Sequence, residues 1–111
     1  MMESRGLVQL GLSTAPTLEI ARQLASQLLK DKLVACISII PGVESHYIWK
    51  GNQELENEVL LLIKLKKELV DKFKERFRLL HPYDCPELLF FDAENGLEAY
   101  LKWINEGSNL P

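Results

Sequence analysis

The chain reads as an α+β fold in which strands and helices follow the order βαββαβ: an antiparallel sheet with helices on one face, plus a short C-terminal helix. Three observations predict this. Apolar residues recur at spacings of three and four around residues 20–29 and again around 69–80, the period of a helix with one buried face. Runs rich in β-branched and aliphatic residues lie between them, bounded by Pro41-Gly42 and Gly51-Asn52. The 111 residues, 47% hydrophobic and 26% charged, suit one domain spanning 1–111, with a core over 6–106, and exclude wholesale disorder or a fibrous rod.

Residues 6–13 (Gly-Leu-Val-Gln-Leu-Gly-Leu-Ser) form the first strand, broken by Thr14-Ala15-Pro16. Thr17 supplies an N-cap, and Ile20, Ala21, Leu24, Ala25, Leu28 and Leu29 share one helical face that ends near Lys30–Lys32. Residues 33–40 (Leu-Val-Ala-Cys-Ile-Ser-Ile-Ile) read as a buried strand. Residues 44–50 alternate, with Ser45, Tyr47 and Trp49 on one side and His46, Ile48 and Lys50 on the other, before a turn at Gly51-Asn52. Residues 54–65 then give a strand of roughly 40 Å, about twice the usual length, which a chain this small cannot cover alone.

A second helix buries Leu69, Val70, Phe73, Phe77 and Leu80 and stops at His81, where the following Pro82 disfavours helical backbone. Residues 87–92 make the last strand and Asn95-Gly96 a turn. Leu97, Tyr100, Leu101 and Ile104 mark the C-terminal helix, and residues 107–111 a frayed tail. With the two pieces around Pro41-Gly42 counted as one bent strand, this is the split-βαβ, ferredoxin-like plan.

Charge and thiols narrow the function. Thirteen Lys and Arg against 16 Asp and Glu leave a net −3, and Glu68, Asp71 and Glu75 dilute the cations between Lys64 and Arg78, so nucleic acid is excluded as a partner. No apolar stretch approaches the ~20 residues of a membrane span. Two cysteines make no disulfide framework, and reduced thiols fit a cytoplasmic location. A targeting segment ahead of residue 1 would leave no trace here. His46 and His81 are the only histidines, no Gly-x-Ser-x-Gly elbow surrounds a serine, and the six glycines form no phosphate cradle. The expectation is a protein that binds and does not catalyse.

The ordered series Thr14-Ala15-Pro16, Ala35-Cys36, Ile40-Pro41-Gly42-Val43, Tyr47-Ile48-Trp49-Lys50-Gly51, residues 58–64, His81-Pro82-Tyr83 and Cys85-Pro86-Glu87-Leu88 resembles the CutA divalent-cation-tolerance family from about Leu7 to Trp103. The resemblance implies a ferredoxin-like fold and a homotrimer joined by strand pairing between subunits, similar in plan to the PII signalling proteins. It also implies copper binding at a cysteine before Thr-Ala-Pro and a His-His pair before Pro-Tyr. This chain has Ser13 and Leu80-His81 at those places, so only His81 carries over. His46 stands where the family usually has an apolar residue, and reads as an exposed edge-strand side chain.

The candidate metal ligands are His81 and, behind it, Cys36 and Cys85, since imidazole and thiolate suit copper or zinc. The structural alternative for His81 is a helix-terminal residue bonding the last carbonyls, and for Cys36 a small buried hydrophobe. Tyr47, Trp49, Tyr83, Tyr100 and Trp103 read as core or interface packing, or, with Lys64 and Glu87, as a cleft between subunits that receives a small ligand. The leading reading is a homotrimer linked to divalent metal tolerance that requires no cofactor and binds copper or another divalent ion weakly, through His81. The alternatives are a PII-like small-ligand sensor and an assembly scaffold for a protein partner.

Overall fold

The computed structural model describes residues 7–107. Its elements run β1 (Val8–Ala15), α1 (Leu18–Lys30), β2 (Cys36–Trp49), β3 (Asn52–Lys66), α2 (Val70–Leu80, entered through a 3-10 turn at Lys67–Leu69), β4 (Leu88–Asp92) and α3 (Glu98–Gly107). The four strands lie in the order β2-β3-β1-β4, every neighbouring pair antiparallel. This is the ferredoxin-like βαββαβ fold with an added C-terminal helix. Residues 108–111 of the expected frayed tail lie outside the described residues.

Thr17 caps α1 as its sequence position implies, its Oγ1 accepting the amide of Ile20 at 3.1 Å. Ala21, Leu24 and Leu28 of α1 and Phe73 and Phe77 of α2 press onto Val59, Leu61 and Ile63 of β3. The two phenyl rings stack at 5.4 Å, and Phe90 of β4 meets Phe73 edge-on at 5.7 Å. Arg76 donates to the Asp31 carboxylate at 2.8 Å, tying the end of α1 to α2 and holding the Asp31 carboxyl below its usual range. Leu29, expected inward, is exposed, because it sits past the edge of the arc that faces the sheet.

Several boundaries move. β1 runs on through Thr14 and Ala15, which pair with Leu60 and Val59; Pro16, lacking an amide proton, is what stops it. β2 begins only at Cys36, since Lys32 takes φ 59 and turns the chain, and it is not buried: Cys36 to Ile39 are half covered and Ile40 is exposed. The reason is its place at the sheet edge, with helices over one face only. The hairpin turn is Lys50-Gly51, one residue earlier than expected. Both residues carry positive φ, 51° and 82°, as a two-residue turn closed by the Trp49–Asn52 pair requires.

Between Ile40 and Val43, β2 takes three steps while β3 takes two, from Leu60 to Glu58. This bulge, with Gly42 at φ 84, reverses the side-chain alternation. Cys36, Ser38 and Ile40 therefore share a face with Val43, Ser45, Tyr47 and Trp49. That face is the one turned away from α1 and α2, because Ile37 and Ile39 join the main core. Its Val8 end is covered by α3 through Leu101 and Ile104, a small core of its own. Leu97 precedes that helix and is 82% exposed, and Tyr100 points outward too, since only Leu101 and Ile104 turn toward Val8.

The rest of the open face, with Leu10, Leu12, Leu60, Leu62, Ile40, Leu89 and Phe91, has no helix over it among the described residues. Beyond the Ala15–Val59 pair, β2 and β3 continue as a two-stranded arm, which stretches the molecule to 52 × 26 × 23 Å. On that arm Ile48, Trp49 and Leu55 are more than half exposed.

Gly11 sits on β1 where side chains of β4 and β3 crowd in from either side. A Cβ there would lie 2.9 Å from the Phe90 ring and 3.1 Å from the Ile63 side chain. Gly11→Ala is expected to destabilise the fold by about 1–3 kcal/mol through overpacking. An unchanged denaturation midpoint would show that Phe90 can swing aside.

Candidate functional site

The sequence motifs converge at the C-terminal end of β1. Pro82 holds His81 out of the helix, at φ −75 and ψ 138, and this turns the imidazole back onto the sheet. Its Nε2 lies 2.7 Å from the Thr14 carbonyl and its Nδ1 3.1 Å from the Tyr83 amide. A carbonyl can only accept and an amide can only donate, so the ring is neutral, with the proton on Nε2 and the lone pair on Nδ1. The side chain is 6% exposed and lies between the Phe77 and Tyr83 rings, at 5.2 and 4.8 Å. Ser13, where the resemblance implies a cysteine, donates its hydroxyl to the Glu87 carbonyl at 2.6 Å. The loop from 81 to 87 is thus fastened to β1 at both ends.

From this loop the Tyr83 phenol reaches past the end of β1 and donates to the Glu58 carboxylate at 2.9 Å. Burial, then the hydrogen bond and charge of Glu58, with Glu56 and Tyr47 adding to them, push the phenol up to about 12. Tyr47, opposite Glu54 on the same face, is also raised, by burial and then by Glu56, Glu54 and Glu58. Period-two spacing aligns the three glutamates along one face of β3. The result is an acidic patch carrying two tyrosines. Sequence reasoning passed over the glutamates, although Glu54-x-Glu56-x-Glu58 was the signal.

The other candidates lie apart. Lys64 is six residues along β3 from Glu58, about 20 Å away at strand spacing. Its ammonium donates to Ser38 Oγ at 2.6 Å and lies 3.8 Å from Cys36 Sγ, and among the described residues it has no carboxylate partner. Cys36 is half-buried beside it and Cys85 is exposed in the loop. Trp49 sits near the arm's tip with the Lys50 ammonium 6.0 Å from its ring. Tyr100 and Trp103 stack at 5.9 Å on the outside of α3. Glu87 meets β1 through its carbonyl, and its residue is exposed.

Within the subunit the candidate ligands stay apart. Among the described residues no three His, Cys, Asp or Glu side chains are placed to hold an ion, and both nitrogens of His81 are in use. His81, Cys36 and Cys85 are not brought together as a ligand set. His46 is exposed on the arm, with its Nε2 3.2 Å from the Glu44 carboxylate.

Two outcomes test this geometry. Native alkylation should label Cys85 well before Cys36; equal rates would put Cys36 on a freely accessible surface. Tyr83 should ionise near 12 in the folded chain and near 10.0 unfolded, so its contribution to stability is complete below 10 and fades as pH rises toward 12. In Glu58→Gln, with Tyr83→Phe as the spectral reference, the phenol should titrate lower than in the parent. An unmoved titration would remove Glu58 as a cause.

The comparisons with known proteins agree with the fold. The model of the family described as CutA1 divalent ion tolerance protein matches residues 9–107. The divalent-cation tolerance protein CutA of Thermus thermophilus is 39% identical over 97 residues, 87% of this chain and 94% of that protein. Its solved structure superposes with a TM-score of 0.88 at 38% identity, covering 91% of this chain and 98% of that one. The chloroplastic protein CutA of Arabidopsis thaliana is 35% identical over 95 residues, 86% of this chain; the match spans 52% of that longer relative, about half its length. With the fold, the motifs and the full extent of the match in agreement, the chain belongs to the CutA1 divalent ion tolerance protein family.

Proposed function

We propose that this protein acts in divalent-cation tolerance as a homotrimer, by binding and not by catalysis. The observation that carries the assembly is the open sheet face. Leu89 and Phe91 are about half exposed there beside Leu10, Leu12, Leu60 and Leu62, and a bare two-stranded arm projects from the same sheet. A ribbon of two strands is marginal alone in water, and an apolar face of this extent calls for a partner. The free edges of β2 and β4 supply backbone groups for strand pairing between copies. Metal contact in this reading is weak and secondary, since the described residues provide no closed ligand set.

A second reading, a PII-like sensor, has one observation in its favour. Lys64 holds a half-buried positive charge whose ammonium, among the described residues, bonds only Ser38 and Cys36, which suits an anionic small ligand between subunits. The name of the Arabidopsis relative places that protein in the chloroplast, so kinship alone does not set the compartment. The cytoplasmic placement rests on the two free thiols.

Light scattering on a sizing column should return three times 12.7 kDa at micromolar concentration, with an unfolding midpoint that rises with concentration. Leu89→Glu, at a side chain exposed in the isolated subunit, should bring the mass down to one subunit. In a host lacking its own copy, the parent chain should restore growth on copper-containing medium and Leu89→Glu should not. A monomeric parent would overturn the assembly, and full rescue by a monomeric variant would detach it from tolerance.

A further inference from the structure

The places that the family resemblance gives to metal ligands are used in this chain for something else. Ser13 donates to the Glu87 carbonyl at 2.6 Å, and the His81 ring bridges the Thr14 carbonyl at 2.7 Å and the Tyr83 amide at 3.1 Å. Leu80, in the position of a second histidine, packs against the main core. The hydrogen bonds of Ser13 and His81 hold one segment, residues 81–87, against the end of β1, and the Tyr83 hydroxyl then reaches Glu58.

We propose that His81 is a positioning residue: its neutral, Nε2-protonated ring sets Tyr83 against Glu58, and in this chain it has ceased to be a metal ligand. The argument is a count of lone pairs. An ion at Nδ1 would need the pair that the Tyr83 amide already uses. An ion at Nε2 would need the proton removed and the Thr14 tether broken. Either route opens a buried ring that is 6% exposed, and a single imidazole offers little in return where Ser13 and Leu80 supply no second ligand. The other histidine is better placed. His46 is exposed on the arm, and among the described residues it meets only the Glu44 carboxylate, an oxygen ligand two residues away on the same face. Copper(II), the tightest-binding of the common divalent ions, should therefore find His46. This inference concerns the subunit and holds whether or not the trimer forms.

The test uses the full chain, labelled with nitrogen-15, with copper(II) as the probe. At neutral pH the ring correlations of His81 should show the Nε2–H tautomer, and the Tyr83 amide should exchange slowly with solvent. Substoichiometric copper(II) should broaden the His46 ring signals and spare those of His81. Two variants separate the two bonds. His81→Asn keeps an acceptor near the Nδ1 position for the Tyr83 amide and loses the reach to Thr14. His81→Gln keeps a donor at the outer position and loses the acceptor. Tyr83 amide exchange should rise roughly tenfold in His81→Gln, about the size of one net hydrogen bond, and stay near the parent rate in His81→Asn. Copper affinity should survive in both and be lost in His46→Asn. The proposal is overturned if copper broadens His81 first, or if a His81 variant loses copper affinity tenfold while His46→Asn keeps it. Should both His81 variants fail to fold, the parent spectra still decide: an Nδ1–H tautomer or a rapidly exchanging Tyr83 amide would refute it.

Discussion

The pairing of β3 is the constraint on which the other features depend. It runs for fifteen residues from Asn52 to Lys66, and only its C-terminal half has β1 beside it. Where β1 is present, the helices can cover one face, and Leu61, Ile63 and Leu65 are wholly buried. Where β1 stops, at Ala15 before Pro16, β3 and β2 continue with no third strand beside them. The core, the open face and the arm are thus three consequences of one strand being longer than its neighbours. Burial of apolar surface stabilises the first, while the other two keep apolar side chains and strand edges open to solvent.

The end of β1 matters for the same reason. It is where the sheet narrows from four strands to two, and the loop after α2 closes over it. Backbone groups at such an end must find partners or lose the water they had. Ser13 and His81 supply those partners through a hydroxyl and a ring placed at the two ends of the loop. The His81 ring accepts on one nitrogen and donates on the other, so it acts as a bridge between β1 and Tyr83. The chemistry that would make an imidazole a metal ligand, a free lone pair, is the part this arrangement consumes.

Charge is distributed in keeping with binding. Burial first, then Glu58 and Glu56 at Tyr83 and Glu56, Glu54 and Glu58 at Tyr47, raise the two tyrosines, so the patch at the arm's base is negative and its phenols stay protonated through the physiological range. Lys64 lies well away on the same face, beside Cys36 and Ser38.

Much of this was legible in the sequence. Helical spacing placed Leu24, Leu28, Phe73 and Phe77 inward, Thr17 announced a cap, and the length of the run after Gly51 announced a strand too long for its own domain. These are local properties, set by side-chain period and backbone propensity over a few residues. The turn at Lys50-Gly51, the exposure of β2 and the outward turn of Leu97 and Tyr100 were decided by which strand lay at the edge and which face a helix covered. Tyr47 faces Glu54 only because a bulge at Pro41-Gly42 adds one residue to one strand, and a shift of one residue moves every later side chain to the other face. The role of His81 was likewise decided across the fold, by a carbonyl 67 residues earlier in the chain. Its sequence neighbours fix where the ring begins, and the partners of its two nitrogens exist only once β1 and the loop have met.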